Sequence, residues 1–460
     1  MILAADFGTS ALKAALIDRD GRIAALTRVP LETKGGIFAD VRTWTDAMCR
    51  ASVTLRKQTG EMAQAIIVDA NGPTLVPWPS LTARLWTDRR AVDESRRVSE
   101  LAGQFIDASF ILPKALYIRD REPELYNNTV SFFGAQDFIN YALTMETVSV
   151  MPLDGLEKWY WNDTILEKLD LDASKFPPFV KMGTKIGALG CIPAANMGLL
   201  PEIPVIAGCP DFVTSIIGSG TMESGILCDR TGTSEGLNLC TGSPSADSRL
   251  MCFRHPNGKD YNLSGMISSS GSAIAKAMEL LGFEADDFEG FYNLCAQAAP
   301  GSGGVVFNPY LSGERAPIWD SGAEAAFTGI NSTTSRAELA RSVCEGVALA
   351  VRDVLWTIGM DKVREIRVTG APAGVDFLNQ LKADVTGIRV VTIDSPEPEL
   401  LGLGCIALTA LGEYESLGAC TSALVRTARV FEPDPDLRQT YDALYQRYKA
   451  LYRATSATRA

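Results

Sequence analysis

Two copies of a Gly-Thr-Ser tripeptide are the first candidates for chemistry in this sequence. A turn of this composition points backbone N–H groups and hydroxyls toward one place, and such arrangements bind phosphate oxygens. An ordinary turn is the alternative for either copy alone, but two copies in matching contexts predict a pair of phosphate-binding turns. The copies are Gly8, Thr9 and Ser10 near the amino terminus, and Gly232, Thr233 and Ser234 almost half a chain later.

Two aspartates lie where they could act on a phosphoryl group. Asp6 comes just before the first turn, and because a bare carboxylate repels phosphate, a bridging Mg²⁺ is predicted there. Asp211 ends the apolar run PEIPVIAGCPD and could take the proton of a substrate hydroxyl. The structural alternatives are a turn-capping role for Asp6 and a helix N-cap role for Asp211. His255 is the only histidine, so the general base is expected to be a carboxylate.

The composition narrows the class of protein to a large soluble globular one. At 460 residues, with 46% hydrophobic and 21% charged residues, two domains are expected, and a cleft between them is the natural place for chemistry. The net charge of −12 disfavours nucleic-acid binding. No apolar run is long enough for a membrane span. Ten scattered cysteines and one histidine leave little for a zinc site or disulfides, which indicates a cytoplasmic protein.

The elements that must position these residues follow from hydrophobic patterning. Apolar runs on both sides of each Gly-Thr-Ser tripeptide predict a strand, a turn and a second strand. Another strand is predicted over AIIVDA, residues 65–70, and a strand followed by a helix is predicted around Asp211. Ser335 and Glu338 form a capping-box pattern at the start of a long helix that Gly359 ends. The repeated turn suggests two related domains that face one another.

The carboxy-terminal stretch predicts a helix with one apolar face. Packing of that face on the core is the simplest interpretation, and a dimer seam is the alternative, so a monomer and a homodimer both stay open. The face consists of Leu437, Tyr441, Leu444, Tyr448 and Leu451.

Read in order, the chain resembles the FGGY family of carbohydrate kinases, whose α/β fold is a duplicated actin-like, hexokinase-type one. The resemblance implies ribonuclease H-like domains with a central cleft: residues 1–222 as the sugar-binding domain with the catalytic base, 223–430 as the ATP-binding domain, and 431–460 as a terminal helix packed on the core. The segments that carry it span almost the whole chain: AADFGTSALKAALID, LWTDRRA, PKALYIRDREPELY, GLLPEIPVIAGCPDF, DRTGTSEG, FNPYLSGERAPIWD, SRAELARSVCEGVALAVRDVL and LGLGCIALTALGEY.

The resemblance also implies a role for each matching residue, with ATP and Mg²⁺ as cofactors. Asp6 corresponds to the metal-associated acid and Asp211 to the catalytic base. The first phosphate loop corresponds to Gly8, Thr9 and Ser10, the second to Thr231, Gly232, Thr233 and Ser234, the neighbours of adenine to Gly370 and Ala371, and the substrate positions to Ala70, Asn71, Asp211 and Phe212.

Two more segments match patterns of the family. In LWTDRRA, which includes Arg89, the residues Trp86, Asp88 and Arg90 have the spacing W-x-D-x-R, with a helix-capping Asp88 as the structural alternative. In GERAPIWD, Glu314 and Arg315 are expected to form a structural ion pair rather than to act as catalysts.

Several positions depart from the family pattern. Ala371 and Pro372 stand where the adenosine loop usually has glycines, and because proline lacks an N–H, a narrower nucleotide pocket is predicted. Asn71 stands where some members have histidine, and Phe212 where a polar side chain is common. These changes point to a different sugar or polyol, such as one with a deoxy or apolar portion.

The sequence therefore predicts ATP-dependent phosphorylation of a hydroxyl of a small sugar, ketose or polyol, with a pentulose such as xylulose or ribulose as the first candidate. The partner is a small molecule, with neither a nucleic acid nor a membrane involved. Two alternatives are a catalytically retired kinase that senses a sugar and an actin-like or chaperone-like nucleotide switch.

Overall fold

The computed structural model describes residues 1–459 and divides them into two compact units. Each unit contains two segments of the chain, so the chain passes from the first unit to the second, returns, and passes to the second again. Unit 1 consists of Met1–Gly220 and Glu397–Val425, and unit 2 of Thr221–Pro396 and 426–459.

The segment Glu397–Val425 is where the structure differs from the expected domain division, which assigned it to the carboxy-terminal domain. Its first helix packs closely on the helix that begins at Asp211. A Cβ at Gly402 would lie 2.2 Å from the Thr214 carbonyl oxygen, and a Cβ at Gly218 would lie 1.7 Å from the carbonyl oxygen of Pro398. Only glycine permits backbones this close, and local sequence patterns do not reveal a contact between such distant residues.

The elements follow the chain in order. Residues 1–220 form the strands β1 Ile2–Phe7, β2 Ala11–Ile17, β3 Ile23–Pro30, β4 Phe38–Asp40, β5 Ala65–Ala70, β6 Leu75–Trp78, β7 Thr82–Arg84, β8 Ser131–Gly134, β9 Ser149–Met151, β10 Phe179–Lys181, β11 Lys185–Ala188 and β12 Pro204–Ala207. Their helices are α1 Val41–Thr59, α2 Val92–Ala102, α3 Ile111–Arg121, α4 Pro123–Asn128, α5 Ala135–Thr144, α6 Asp163–Lys168, α7 Cys191–Met197 and α8 Asp211–Gly218.

The remaining residues form the other strands and helices. The strands are β13 Ile226–Thr231, β14 Glu235–Thr241, β15 Met251–Arg254, β16 Tyr261–Ile267, β17 Val306–Asn308, β18 Ala326–Thr328, β19 Glu365–Thr369, β20 Val390–Ile393 and β21 Thr427–Phe431. The helices are α9 Gly271–Leu280, α10 Phe288–Cys295, α11 Arg336–Ile358, α12 Asp376–Thr386, then α13 Pro398–Ala410 and α14 Leu417–Leu424 in unit 1, and α15 Arg438–Ala457.

Unit 1 is built on a six-stranded sheet in the order β11-β12-β5-β1-β2-β3. The strands β1, β2 and β3 are antiparallel neighbours, whereas β5 is parallel to β1 and β12 is parallel to β5. Every residue of β1 and β5 is buried, which explains why both strands read as continuous apolar runs.

Unit 2 repeats this arrangement. Its sheet has the order β15-β16-β14-β13-β19-β20-β21. Here β13, β14 and β16 are antiparallel neighbours, and β19 and β20 continue the sheet from β13 as parallel strands. In both units a Gly-Thr-Ser turn joins the central strand to its antiparallel neighbour. The shared topology confirms the predicted duplicated α/β fold with actin-like, ribonuclease H-like domains.

The long helix α11 and the terminal helix α15 contribute to the core of unit 2. The Ser335 hydroxyl accepts the Glu338 N–H at 3.1 Å, and the Glu338 carboxylate accepts the Ser335 N–H at 2.7 Å, which confirms the predicted capping box. In α15, Tyr441, Tyr445 and Tyr448 are buried in this core. The terminal helix therefore packs on its own unit.

All ten cysteines are free thiols, and most of them are buried. Among the helices within residues 1–459, none combines the length and the apolar character needed to cross a membrane.

Candidate active site

The first Gly-Thr-Ser turn joins β1 to β2 in unit 1. The Gly8 N–H donates to the carbonyl of Ala11 at 3.0 Å and so closes the turn around Thr9 and Ser10. The Thr9 hydroxyl accepts a hydrogen bond from the Trp86 indole N–H at 2.9 Å. This bond orients the hydroxyl and keeps its own hydrogen available for an acceptor.

Three carboxyl groups gather near this turn. Asp6 on β1 and Asp69 on β5 are register partners in adjacent parallel strands. Asp211 is the first residue of α8, and the charges of Asp6 and Asp211 both act on the Asp69 carboxyl group. Pro210 holds the N-cap position of α8, so the N-cap alternative for Asp211 is wrong.

Asp69 is the member of this cluster that sequence reasoning missed. Burial, and then the charge of Asp6, raises the pKa of Asp69 well above its usual range. The Thr214 hydroxyl oxygen lies 2.7 Å from Asp69 Oδ2 and 2.8 Å from the carbonyl oxygen of Asp211. The Thr214 hydroxyl hydrogen can be donated to either oxygen, so Thr214 links Asp69 to the first turn of α8. The signal for Asp69 in the sequence was an acid near the end of an otherwise apolar strand.

Lys13 is a second residue that sequence reasoning missed. It lies on β2 opposite Asp6, and its ammonium group donates to Glu397 Oε2 at 2.5 Å. Burial opposes the charge of Lys13, but the Glu397 hydrogen bond and the nearby acids, including Glu399 and Asp6, raise the pKa of Lys13 above its usual value. A lysine inside an apolar strand was the signal in the sequence.

The residues predicted to bind the sugar, besides Asp211, differ in burial and in the hydrogen bonds that they already form. Ala70 is the last residue of β5 and is 3% exposed. The Asn71 amide donates to the Phe7 carbonyl at 3.0 Å and accepts the Thr74 hydroxyl at 2.9 Å, so one of its N–H groups remains for a ligand. Phe212 is the second residue of α8 and is half-buried.

Two residues of the W-x-D-x-R pattern, Asp88 and Arg90, pair with each other. Trp86 supports the first turn, as described above. The Asp88 carboxylate is buried and accepts two hydrogen bonds from the Arg90 guanidinium group, each at 2.8 Å. Because α2 begins at Val92 with Ala91 as its N-cap, the helix-capping alternative for Asp88 is wrong. Arg89 lies 3.9 Å from the Asp107 carboxylate and is half-exposed.

The second Gly-Thr-Ser turn joins β13 to β14 in unit 2 and is held by the start of α9. The Gly232 N–H donates to the Ser234 carbonyl at 2.9 Å and closes the turn, as Gly8 does in unit 1. The Gly271 N–H donates to the Gly232 carbonyl at 2.9 Å, and the Ser270 N–H donates to the Thr233 carbonyl at 3.1 Å. The carbonyl groups of Gly232 and Thr233 thus accept hydrogen bonds from the start of α9.

A large cavity lies next to this turn, entirely within unit 2. Its volume is about 1050 Å³, at the upper end of the range for ligand pockets. The predicted narrowing by Ala371 and Pro372 is therefore wrong, because Pro372 lies in the first turn of the short helix Ala371–Gly374, where its missing N–H costs nothing. Among the residues that line the cavity are Thr231, Gly232, Thr233, Ala371, Pro372, Phe283, Phe288, Tyr292 and Lys382.

Gly370, next to Ala371 of the cavity lining, packs closely against Thr231. Its φ is +85°, and a Cβ at this position would lie 2.0 Å from the Thr231 carbonyl oxygen. Only glycine permits both the left-handed conformation and this close approach. The predicted adenine segment is therefore packed directly against the strand that leads into the second turn.

Glu314 and His255 are both buried and form hydrogen bonds with other groups of the protein. The Glu314 carboxylate accepts the Ser268 N–H at 2.6 Å and the Arg315 N–H at 2.7 Å, and burial raises the pKa of Glu314 to about 7. Burial lowers the pKa of His255 to about 4, and its Nδ1 accepts the Asn257 N–H at 3.2 Å. The only histidine is therefore a buried side chain whose lowered pKa makes it a weak base.

Within residues 1–459, no group of three or more His, Cys, Asp or Glu side chains is arranged to hold a metal ion. Asp6 nevertheless fits Mg²⁺, because this ion is usually held by one or two carboxylates together with the phosphates of its nucleotide. The side chains present therefore suit a metal that arrives with a nucleotide.

Comparisons with known proteins agree with this picture. Residues 1–218 match the amino-terminal domain, and residues 230–411 the carboxy-terminal domain, of the FGGY family of carbohydrate kinases. A xylulose kinase of Staphylococcus epidermidis is 27% identical over 99% of this chain and 97% of its own length. A gluconokinase of Bacillus subtilis is 24% identical over 96% of this chain and 94% of its own length. The crystal structure of ligand-bound xylulose kinase from Lactobacillus acidophilus superposes with a TM-score of 0.88, at 22% identity, over 99% of this chain and 98% of that one.

The chain therefore belongs to the FGGY family of carbohydrate kinases. It is an enzyme that transfers a phosphoryl group to a hydroxyl of a sugar, and sugar kinases of this family take that group from ATP. No finding favours a retired sugar sensor or an actin-like nucleotide switch.

Proposed function

We propose that this enzyme phosphorylates a neutral pentulose, such as xylulose or ribulose, with Mg²⁺-ATP as the donor and Asp211 as the general base. The observation that carries the proposal is the group of carboxyl side chains near the first turn, in a chain whose only histidine is buried and has a lowered pKa. We place the reaction in the cytoplasm, where the ten free thiols stay reduced.

Asp211 would take the proton of the substrate hydroxyl as the phosphoryl group is transferred. A base of this kind contributes roughly 10²–10⁴-fold to such a rate. Asp69, which holds a proton, does not compete for the same role, and through Thr214 it fixes the first turn of α8. The helix thereby holds Asp211 in one position.

The donor side would be supplied by unit 2. The Thr231–Thr233 stretch faces the large cavity, as does Ala371, and Gly370 packs directly behind. We assign the nucleotide phosphates to the second turn, including Ser234, and the adenine to the Gly370 and Ala371 segment. Asp6 would hold Mg²⁺, whose charge offsets the negative charge of the phosphates. The first turn, Gly8–Ser10, would donate to the phosphoryl group that moves.

The surroundings of Asp211 favour a neutral substrate over a sugar acid. The charges of Asp6 and Asp211 both act at this place, and the nearby Lys13 is paired with Glu397. A carboxylate such as that of gluconate would be repelled there. Ala70, Asn71 and Phe212 are the remaining residues that we assign to the sugar.

The test measures ADP release from Mg²⁺-ATP with xylulose, ribulose, glycerol and gluconate, each over a range of concentrations. Saturable ADP release with a pentulose, and the highest kcat/KM for that compound, supports the proposal. A higher kcat/KM for gluconate overturns the electrostatic argument for a neutral substrate. No increase with any of the four compounds overturns the assignment to this substrate class.

A further inference from the structure

A buried cluster of three ionisable side chains lies next to the second Gly-Thr-Ser turn. The Lys382 ammonium group on α12 donates to Glu235 on β14 at 2.6 Å and also to Asp229 on β13. The side chain of Lys382 is 8% exposed, and those of the two acids are 0% exposed. The roles assigned so far use none of these three residues.

The cluster has two carboxyl groups for one ammonium group, and a proton balances the difference. Burial, and then the charge of Glu235, raises the pKa of Asp229 well above its usual value. Burial acts in the same direction on Glu235, but Lys382 and the hydrogen bonds from Asp229 and Ser270 hold the pKa of Glu235 below its usual value. Asp229 therefore carries the proton and Glu235 the charge, so the cluster is neutral overall.

The cluster is connected to the turn on both sides. The Lys382 ammonium group lies 3.4 Å from the hydroxyl of Thr231, which comes directly before the turn. Glu235 comes directly after the turn and accepts the Ser270 hydroxyl hydrogen at 2.6 Å. The same Ser270 donates its N–H to the carbonyl of Thr233 within the turn. A displacement of the cluster would therefore move both ends of the turn.

Lys382 also links the turn to the opposite side of the cavity. It belongs to α12, which follows directly on the short helix Ala371–Gly374. Lys382, Thr231 and Ala371 all line the same cavity. The cluster is thus the direct side-chain connection between the second turn and the helix that follows the adenine segment.

We propose that Lys382, held by Asp229 and Glu235, is a positioning residue that fixes the spacing between the second turn and α12, and thereby sets the affinity of unit 2 for the nucleotide. This inference rests on the nucleotide-binding role proposed above for the turn. A cluster that served stability alone would be dispensable for binding, because neutral side chains of similar volume often replace buried ion pairs without loss of stability.

The test replaces the cluster as a whole with Asp229→Leu, Glu235→Gln and Lys382→Met in the full chain. The melting temperature and the KM for the sugar are expected to stay close to those of the unaltered protein. The affinity for ADP, measured by titration calorimetry, is expected to fall about tenfold or more, because small displacements in a site have effects of this size. An unchanged ADP affinity overturns the proposal.

A milder variant covers the case in which the triple variant does not fold. In Glu235→Gln, Asp229 can release its proton and pair with Lys382, so the cluster stays neutral while one support of the turn is weakened. ADP affinity is expected to fall about threefold, the effect of one weakened hydrogen bond. Unchanged affinity in this folded variant contradicts the positioning role.

The control removes a different ion pair of unit 2, with Arg352→Met and Asp442→Asn between α11 and α15. ADP affinity is expected to stay unchanged in this control, and a loss equal to that of the triple variant overturns the inference.

Failure of the proposed function gives a different result in the unaltered protein. An unaltered protein that binds ADP but phosphorylates no pentulose contradicts the substrate assignment alone, whereas one that binds no ADP overturns both.

Discussion

The two units build the same turn on the same sheet topology but surround it with different side chains. In unit 1, Asp6, Asp69 and Asp211 lie close enough to influence one another. In unit 2, a lysine pairs with the two buried acids, and a cavity of about 1050 Å³ lies next to the turn. On the roles proposed above, the same turn binds anions in both units, and its neighbours decide whether it serves proton removal or nucleotide binding.

The backbone of the two turns is similar enough to support this view. Gly8 and Gly232 each use their N–H to close the turn, at 3.0 and 2.9 Å. The closing bonds differ in span, because Gly8 bonds to Ala11, three residues on, and Gly232 bonds to Ser234, two residues on. The support also differs, since the Trp86 indole contacts the first turn while the start of α9 holds the second. The predictions below test whether changes in unit 1 affect sugar phosphorylation and changes in unit 2 affect nucleotide binding.

The largest effect is expected for Asp211→Asn in unit 1. The loss of the proposed base should lower kcat for sugar phosphorylation about 10²–10⁴-fold while ADP binding to unit 2 stays unchanged. Steady-state kinetics and ADP titration measure the two quantities. Asp163→Asn is the matched control, because Asp163 is also the first residue of a helix. Near-normal turnover of Asp211→Asn would remove this residue from the mechanism.

The second-largest effect is expected for Gly370→Ala in unit 2. The added Cβ would meet the Thr231 carbonyl oxygen at 2.0 Å in a left-handed conformation. We expect the KM for ATP to rise about 10–100-fold as the second turn is displaced, with little change in the KM for the sugar. Gly374→Ala is the control from the same segment, because a Cβ there has no atom within 4 Å. Equal effects of the two changes would contradict the argument from close approach.

A third prediction concerns stability and the only histidine, in unit 2. The pKa of His255 is about 4 in the folded chain and 6.5 when unperturbed, so below pH 6.5 the unfolded chain binds a proton that the folded chain excludes. The free energy of unfolding should therefore fall by about 2 kcal/mol between pH 7 and pH 5 on account of this group.

Urea denaturation at the two pH values measures this difference. His255→Gln should reduce the pH dependence by that amount, because the substituted side chain does not titrate. An unchanged pH dependence would show that His255 is not excluded from protonation in the folded chain.

The smallest effect is expected for Trp86→Phe in unit 1. The change removes the indole N–H that orients the Thr9 hydroxyl but keeps most of the apolar surface. A lost hydrogen bond of this kind corresponds to about 1 kcal/mol, so kcat should fall about fivefold with the KM for ATP unchanged. Trp356→Phe is the control, since Trp356 is 62% exposed. A rise in the KM for ATP as large as the fall in kcat would contradict the separation of tasks between the turns.

The sequence by itself determined the features that depend on neighbours along the chain. The two Gly-Thr-Ser turns, their flanking strands and the capping box of Ser335 and Glu338 are encoded by local spacing, because strand and helix periods repeat every few residues. The ends of the apolar runs also marked Asp6 and Asp211 as candidates for chemistry. For these features, pattern and position along the chain were sufficient.

Only the tertiary structure decided which distant residues meet. It paired Asp69 with Asp6 through parallel strands, engaged the Asn71 amide with Phe7, and brought Lys382 to two acids about 150 residues earlier in the chain. It also returned Glu397–Val425 to unit 1. These contacts depend on how whole strands and helices pack, and a side chain's charge and partners are set by that packing, which no local pattern specifies.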